Sequence, residues 1–333
     1  MRVLVTGATG FLGRRLVERL APRHELKLLV RPTADRAGLP ESAAIVEGDV
    51  TDRESLARAA DGCGAIVHAA ALVKILAPAA EFDLVNLAPL DHLIDIAPHK
   101  DKIVYVSSFI ALGPTERLPG GTADESTEPV GPHGPKRRWI NHYERTKTIA
   151  DRRAREAIAA GAPLAVVYPG VIYGPGSLTE GNIVVRHLLD LARGRLPGLL
   201  GKPHRRWCYV FVEDVAEGIR RVLEDAPAGS RYCLGGENVT LARFYELVGE
   251  VGGIGVPKRR IPDRVARIGG LVARELARVT RSTPTLTPDL VEIYRHDWAL
   301  SSAKAERELG YSPRPLRSGL EETVAWLRRE AAW

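Results

Sequence analysis

Apolar and polar positions follow two patterns that alternate through the first half of the chain. Short unbroken apolar runs occur at residues 3–5, 26–30, 44–46, 65–68, 103–106 and 164–168. Between them, over residues 11–20, 53–60, 82–97 and 143–160, apolar side chains recur at helical spacing. The runs predict strands buried on both faces, and the spaced stretches predict amphipathic helices. Alternation of the two predicts an α/β fold, a doubly wound parallel sheet with helices on both faces. Right-handed crossovers then place the C-terminal ends of the strands, and any ligand, along one edge.

The pattern changes after Pro169. Residues 170–206 are rich in Gly and Pro around a single helical stretch at 183–193. Strands are predicted at 209–212 and 232–234, and helices at 214–223, 241–251, 301–309 and 320–330. Residues 265–279 form a basic amphipathic helix, read as packed against a small second domain rather than lying on a membrane. The two domains interleave. Residues 1–170 with 207–236 make the larger α/β domain, and residues 171–206 with 237–333 make the smaller one.

Composition narrows the class. The 333 residues are 45% apolar and 26% charged, as in a soluble globular protein. The net charge of +6 is carried mostly by arginine, without a basic tail or a cationic stripe interleaved with aromatics, so no nucleic-acid partner is expected. Cys63, Cys208 and Cys233 are far apart and form no Cys-x-x-Cys pair, which suggests neither a metal site nor a disulfide framework. A reducing, cytoplasmic setting is expected. The first apolar run is too short for a signal peptide, and no run is long enough for a membrane span.

Two clusters carry chemistry. Gly7, Gly10 and Gly13 sit where the first strand turns into the first helix. Glycines there let backbone approach a pyrophosphate, and the helix dipole favours its charge. This predicts a Rossmann dinucleotide-binding domain, with the smaller domain holding substrate. Tyr143 and Lys147 share one face of a helix at a spacing of four. An ammonium near a phenol lowers the phenol pKa and makes a general base. Ser107 and Ser108 end the strand at 103–106, at the ligand edge, where a hydroxyl can hold a substrate oxygen or cap a turn. The stretch 113–142 is long and rich in Gly and Pro, as functional loops often are.

These residues together resemble the extended short-chain dehydrogenase/reductase family, the NAD-dependent epimerases and dehydratases, over the whole chain. Thr6-Gly7-Ala8-Thr9-Gly10-Phe11-Leu12-Gly13 resembles its cofactor loop, and Gly48-Asp49-Val50 its adenine-contacting turn. His68-Ala69-Ala70-Ala71 resembles the strand end beneath the cofactor, and Tyr168-Pro169-Gly170-Val171 the segment packed on the nicotinamide. Ser108, Tyr143 and Lys147 align with the catalytic triad. Within the family, Ser108-Phe-Ile-Ala-Leu-Gly-Pro114, Tyr143-Glu-Arg-Thr-Lys147 and Gly194-Arg-Leu-Pro-Gly198 resemble the dihydroflavonol-reductase-like and farnesol-dehydrogenase-like branch. The resemblance implies that Tyr143 is the acid/base, that Lys147 tunes it and holds the nicotinamide ribose, and that Ser108 binds the substrate oxygen. It implies oxidation or reduction of a hydrophobic alcohol or carbonyl.

Arg31 ends the second strand where an acidic residue would bind the ribose of NAD, so NADP is expected, with Arg36 assisting and NAD as the alternative. Asn86 is followed by Leu-Ala-Pro89 instead of the family's usual run, which weakens its role as a backbone anchor. Lys74, Ile75, Phe109, Trp139, Tyr173, Trp207 and Tyr209 are the candidate substrate-facing residues. Residues 136–142 are either part of that lining or a charged surface loop. No metal is expected, and a homodimer is an open option. Two other readings compete. A nucleotide-sugar epimerase or dehydratase would need a diphosphate clamp from Arg205, Arg206 or Arg295, and Ser108-Phe109-Ile110 argues against it. A non-catalytic dinucleotide-binding regulator would have no need of a tuned phenol.

Overall fold

A computed structural model describes residues 1–74, 77–128, 139–178, 180–280, 284 and 286–330. The chain begins β1 (Arg2–Thr6), α1 (Phe11–Leu20), β2 (Glu25–Val30), β3 (Ala44–Glu47), α2 (Arg53–Ala60) and β4 (Ala65–His68). It continues α3 (Ala79–Asn86), α4 (Ala88–Ile96), β5 (Lys102–Val106), α5 (His142–Ala159) and β6 (Leu164–Pro169). Then follow β7 (Val171–Tyr173), α6 (Ile183–Ala192), β8 (Arg206–Phe211), α7 (Val212–Asp225), β9 (Arg231–Leu234) and β10 (Glu237–Thr240). The last helices are α8 (Leu241–Gly252), α9 (Asp263–Thr280), α10 (Pro288–Ile293), α11 (Ala303–Leu309) and α12 (Leu316–Arg329).

Seven parallel strands form the main sheet in the order β3-β2-β1-β4-β5-β6-β9. The chain winds outward from β1 to β3, then returns to β4 and winds the other way. The switch lies between β1 and β4, where Thr6 pairs in register with His68, and a ligand crevice is expected there in an open sheet. The strands are apolar at successive positions because both faces are covered. Val3, Val5, Val67 and Val104 pack under α1 and α7. Leu4, Ile66, Ile103 and Val166 form the core of the opposite face.

A second sheet, β10-β8-β7, carries the smaller lobe. Its core is aromatic, with Tyr209 stacked on Phe244 at 4.2 Å and Trp207 against Tyr294 at 4.6 Å. β6 and β7 are consecutive but belong to different sheets. Gly170 joins them, and a Cβ there would lie 2.7 Å from the Cys208 carbonyl oxygen, so only glycine lets the two strands cross so closely.

Several boundaries differ from the sequence pattern. The helix expected at 82–97 is two helices, α3 and α4, meeting at Leu87. Pro89 sits in the first turn of α4, where its missing N–H costs nothing. The segment 207–236, grouped above with the larger domain, divides: β8 joins the small sheet, whereas α7 and β9 serve the large one. β7, β10 and α10 had no clear pattern of their own. The helix at 265–279 packs in an unexpected sense, with its small residues Ala266, Gly270 and Ala277 buried and its bulky ones exposed.

Candidate active site

The loop from β1 to α1 is built on two glycines that tolerate no side chain. Gly7 has φ of +74°, and a Cβ there would lie 2.7 Å from the Ala70 nitrogen. A Cβ on Gly13 would lie 1.9 Å from the Gly7 carbonyl oxygen. These contacts press the loop onto Ala69 and Ala70 at the end of β4. Gly10 differs, because its Cβ would meet only the Gly7 oxygen, at 3.2 Å. It opens α1 without a side-chain cap, so the first N–H groups of that helix, from Phe11, Leu12 and Gly13, are left to an anion. Thr9, Gly10 and Leu12 are half-exposed along this face, while Phe11 is buried beneath it. A dinucleotide pyrophosphate fits this cradle.

Around it, Ala69, Ala70 and Ala71 are half-buried, whereas Pro169, Gly170 and Val171 are buried at the seam between the two sheets. Asp49 turns the chain after β3, its Oδ1 accepting from the N–H and the hydroxyl of Thr51, both at 2.9 Å. Val50 packs against the core beside it. Arg31 is exposed at the end of β2, and its side chain makes no hydrogen bond or ion pair among the described residues. Arg36, expected to assist it, is instead paired with Glu47. Arg14 is held by Asp35.

Two polar residues lock the switch point. The Ala70 N–H donates to Thr6 Oγ1 at 3.4 Å, and Thr6 Oγ1 lies 2.8 Å from His68 Nδ1. Burial, with the Lys147 charge nearby, pushes His68 down to about 3, so the ring at this hydrogen bond is neutral.

Ser108, Tyr143 and Lys147 converge at the C-terminal end of β5. The Lys147 ammonium donates to the Val106 carbonyl at 3.0 Å and lies 5.9 Å from the centre of the Tyr143 ring. The Tyr143 phenol is pushed up to about 12 by burial, opposed by a hydrogen bond from Ser108. Burial also brings Lys147 down to about 8. Burial therefore dominates the phenol in this state, and Ser108, rather than the expected Lys147, supplies the opposing pull. Ser107, the other serine of the pair, has a buried hydroxyl with no hydrogen-bond partner among the described residues. It is a second polar group available to a ligand at this strand end.

The start of α5 is fixed by its own sequence. Asn141 caps the helix by accepting from the Glu144 N–H at 2.8 Å, and the Glu144 carboxylate accepts from the Ile140 N–H at 2.6 Å. This reciprocal cap places Tyr143 in the first turn. The spacing Asn141-x-x-Glu144 is visible in the sequence and could have located it. Further along, Asp151 accepts from the Tyr168 hydroxyl at 2.6 Å and from Arg155 at 2.8 Å, tying α5 to β6.

Asn86 is a backbone anchor despite the proline that follows. Its side chain accepts from the Leu72 N–H at 2.8 Å and donates to the Leu72 carbonyl and the Thr146 hydroxyl, both at 3.2 Å. It thus ties the exit of β4 to the residue before Lys147. Asn86→Ala leaves these groups unpaired and is expected to cost about 1–3 kcal/mol, measured by urea unfolding. A variant as stable as the parent would show the anchor to be dispensable.

Most substrate-facing candidates lie elsewhere. Tyr173 is buried, its hydroxyl on the Leu316 carbonyl at 3.2 Å. Trp207 and Tyr209 are in the aromatic core of the small lobe. These side chains are large and apolar, and the lobe needs them for packing. Lys74 is exposed and paired with Glu81. Phe109 is half-buried, as is Trp139. Phe109, Ile140 and Tyr143 each pack against the small-lobe core, which puts Tyr143 at the junction of the two lobes. Ile140 belongs to the run 136–142 that the sequence left open between site lining and surface loop. Ile75 and residues 136–138 lie outside the described residues, as does part of the stretch 113–142. The part up to residue 128 is pinned to the C-terminal region, with the Ala123 N–H on the Ala299 carbonyl at 2.9 Å.

Comparisons with known proteins bear on the family and the fold. Residues 3–235 match the model of the NAD dependent epimerase/dehydratase family. The chain is 30% identical over 339 aligned positions to sterol demethylase protein B of Methylococcus capsulatus, with 98% of each covered. It aligns with the solved structure of gox2253 at a TM-score of 0.81 and 33% identity, covering 99% of this chain and 98% of that one. DesIV, a dTDP-glucose 4,6-dehydratase from Streptomyces venezuelae with NAD and TYD bound, aligns at a TM-score of 0.76 and 25% identity, covering 100% of this chain and 98% of that one. The parallel sheet, the glycine loop and the match over most of the chain lead to one conclusion: this protein belongs to the NAD-dependent epimerase/dehydratase family of oxidoreductases.

Proposed function

We propose that the chain is an NADP-linked dehydrogenase or reductase of the extended short-chain type, interconverting a hydrophobic alcohol and its carbonyl. The observation that carries this reading is the meeting of Ser108, the Tyr143 phenol and the Lys147 ammonium at the end of β5. The nicotinamide, when bound, supplies the hydride acceptor for oxidation and the hydride donor for reduction. Ser108 holds the substrate oxygen beside the phenol. Tyr143 takes the hydroxyl proton in oxidation and returns it in reduction. Lys147, fixed by the Val106 carbonyl, favours the phenolate through its charge.

The surroundings support an apolar substrate. Phe109 and Ile140, like Tyr143, pack against the apolar core of the small lobe, and a relative is described as a sterol demethylase protein. A nucleotide sugar is less well served. Arg205 pairs with Asp297 at 3.5 Å, Arg206 donates to the Gly121 carbonyl at 2.7 Å, and Arg295 pairs with Glu292 at 2.8 Å. All three are already committed to protein partners. Reduced nicotinamide formed from NADP and members of a terpenoid, aromatic and steroid alcohol panel would support the reading. No turnover with any of them, together with stabilisation by a nucleoside diphosphate beyond that by NADP, would favour the nucleotide-sugar reading.

NADP preference rests on Arg31, the uncommitted guanidinium at the end of β2. Arg31→Ala is expected to weaken NADP about tenfold, equivalent to ~1.4 kcal/mol, and to leave NAD nearly unchanged. Fluorescence titration with both cofactors checks this. Equal weakening of the two would place Arg31 on the adenine instead.

A further inference from the structure

We propose that α9 docks this protein onto the surface of a membrane containing anionic phospholipid, its bulky apolar stripe among the acyl chains and its basic side chains on the headgroups. Val265, Ile268, Val272, Leu276 and Val279 are 58%, 64%, 55%, 59% and 83% exposed. Their spacing of three or four residues lines them along one face of the helix. So many large apolar side chains in one exposed stripe imply a partner.

The helix cannot turn this stripe inward. It meets the body through small residues, and a Cβ on Gly270 would already lie 2.8 Å from the Thr287 backbone. A leucine or isoleucine in that seam would force the two segments apart. The outward stripe is therefore set by the fold.

Charge identifies the occupant. Residues 258–280 hold seven basic and two acidic side chains, which is five of the chain's formal net charge of +6. Lys258, Arg259, Arg264, Arg267 and Arg278 are exposed. Both acids are neutralised by arginine, Asp263 by Arg295 at 3.3 Å and Glu275 by Arg278 at 2.8 Å. An apolar stripe beside unopposed arginines suits an anionic lipid surface, with the helix lying in the interface. A second copy packed stripe to stripe would bring two such cationic segments together. No helix among the described residues is long and apolar enough to cross a membrane.

α9 packs against α10. Docking itself does not depend on the proposed substrate and is read without any activity.

The full chain is sedimented with phosphatidylcholine vesicles, with and without phosphatidylserine, alongside the variants Ile268→Glu/Val272→Glu and Arg264→Glu/Arg267→Glu. All four positions are exposed, so both variants keep the parent Tm, which is checked first. The parent is expected to sediment at least tenfold more with phosphatidylserine vesicles, and both variants to lose most of that binding. A parent that remains in solution, or an apolar variant that binds as the parent does, overturns the proposal. So does a parent dimer that Ile268→Glu/Val272→Glu converts to monomer, which would assign the stripe to a second copy of the chain.

Discussion

Tyr143→Phe is expected to lower turnover by about 10²–10⁴-fold with cofactor affinity nearly unchanged. The substitution removes one hydroxyl from a half-buried ring and leaves the hold of Lys147 on the Val106 carbonyl at 3.0 Å in place. The fold therefore survives and only the proton transfer is lost. The pH dependence follows from the same groups. With the phenol pushed up to about 12, its base form is scarce near neutrality. Oxidation, which needs that base, speeds up as pH rises. The gain weakens above about 8, where Lys147 loses its proton and no longer favours the phenolate. Reduction uses the protonated phenol, which is abundant across the neutral range, and stays flat there. Initial rates in both directions across pH check this. A Tyr143→Phe enzyme with parental turnover would remove Tyr143 from the chemistry.

Gly13→Ala and Gly10→Ala, three residues apart, are expected to fail in different ways. At Gly13 the new methyl would lie 1.9 Å from the Gly7 oxygen and 2.7 Å from its carbonyl carbon. Both are backbone atoms, so no rotamer change relieves the contact, and α1 must lift away from the loop. The expected cost is about 3 kcal/mol or more, with loss of cofactor binding. At Gly10 the methyl meets only the Gly7 oxygen at 3.2 Å. That variant folds with nearly the parent Tm, yet its methyl stands where a pyrophosphate must approach, and binding falls at least tenfold. Thermal melts and cofactor titrations on the pair separate the two effects. A Gly10→Ala protein that binds cofactor as the parent does would show that the pyrophosphate lies elsewhere.

Much of the large sheet was legible in the sequence because its strands are buried on both faces and its helices on one. α1, α2 and β4 span the residues that the apolar pattern marks. The convergence of Ser108 with Tyr143 and Lys147 was likewise legible, since it needs only a strand end and a helical spacing of four. What escaped depends on contacts distant in sequence. β7 and β10 are three and four residues long and exist because β8 lies between them. The periodicity of 82–97 runs through the junction at Leu87 without a break. The burial of Tyr173, Trp207 and Tyr209 follows from lobe packing that residue type does not reveal. The pairing of Arg36 with Glu47, which leaves Arg31 alone at its strand end, is a matter of register between β2, β3 and the loop joining them. In α9 the amphipathic pattern is the same whichever face turns inward, and only the seam at Gly270 decides.

The central claim is that this site moves hydride between a hydrophobic alcohol and a nicotinamide while Tyr143 handles the proton. The most direct measurement uses an alcohol deuterated at its carbinol carbon, chosen from whichever members of the panel turn over, with NADP in excess. Deuterium recovered on the reduced nicotinamide in stoichiometric amount, and absent with Tyr143→Phe, is the predicted result. Substrate converted with its deuterium retained and no net reduced nicotinamide would contradict the account and identify an epimerase or dehydratase cycle instead.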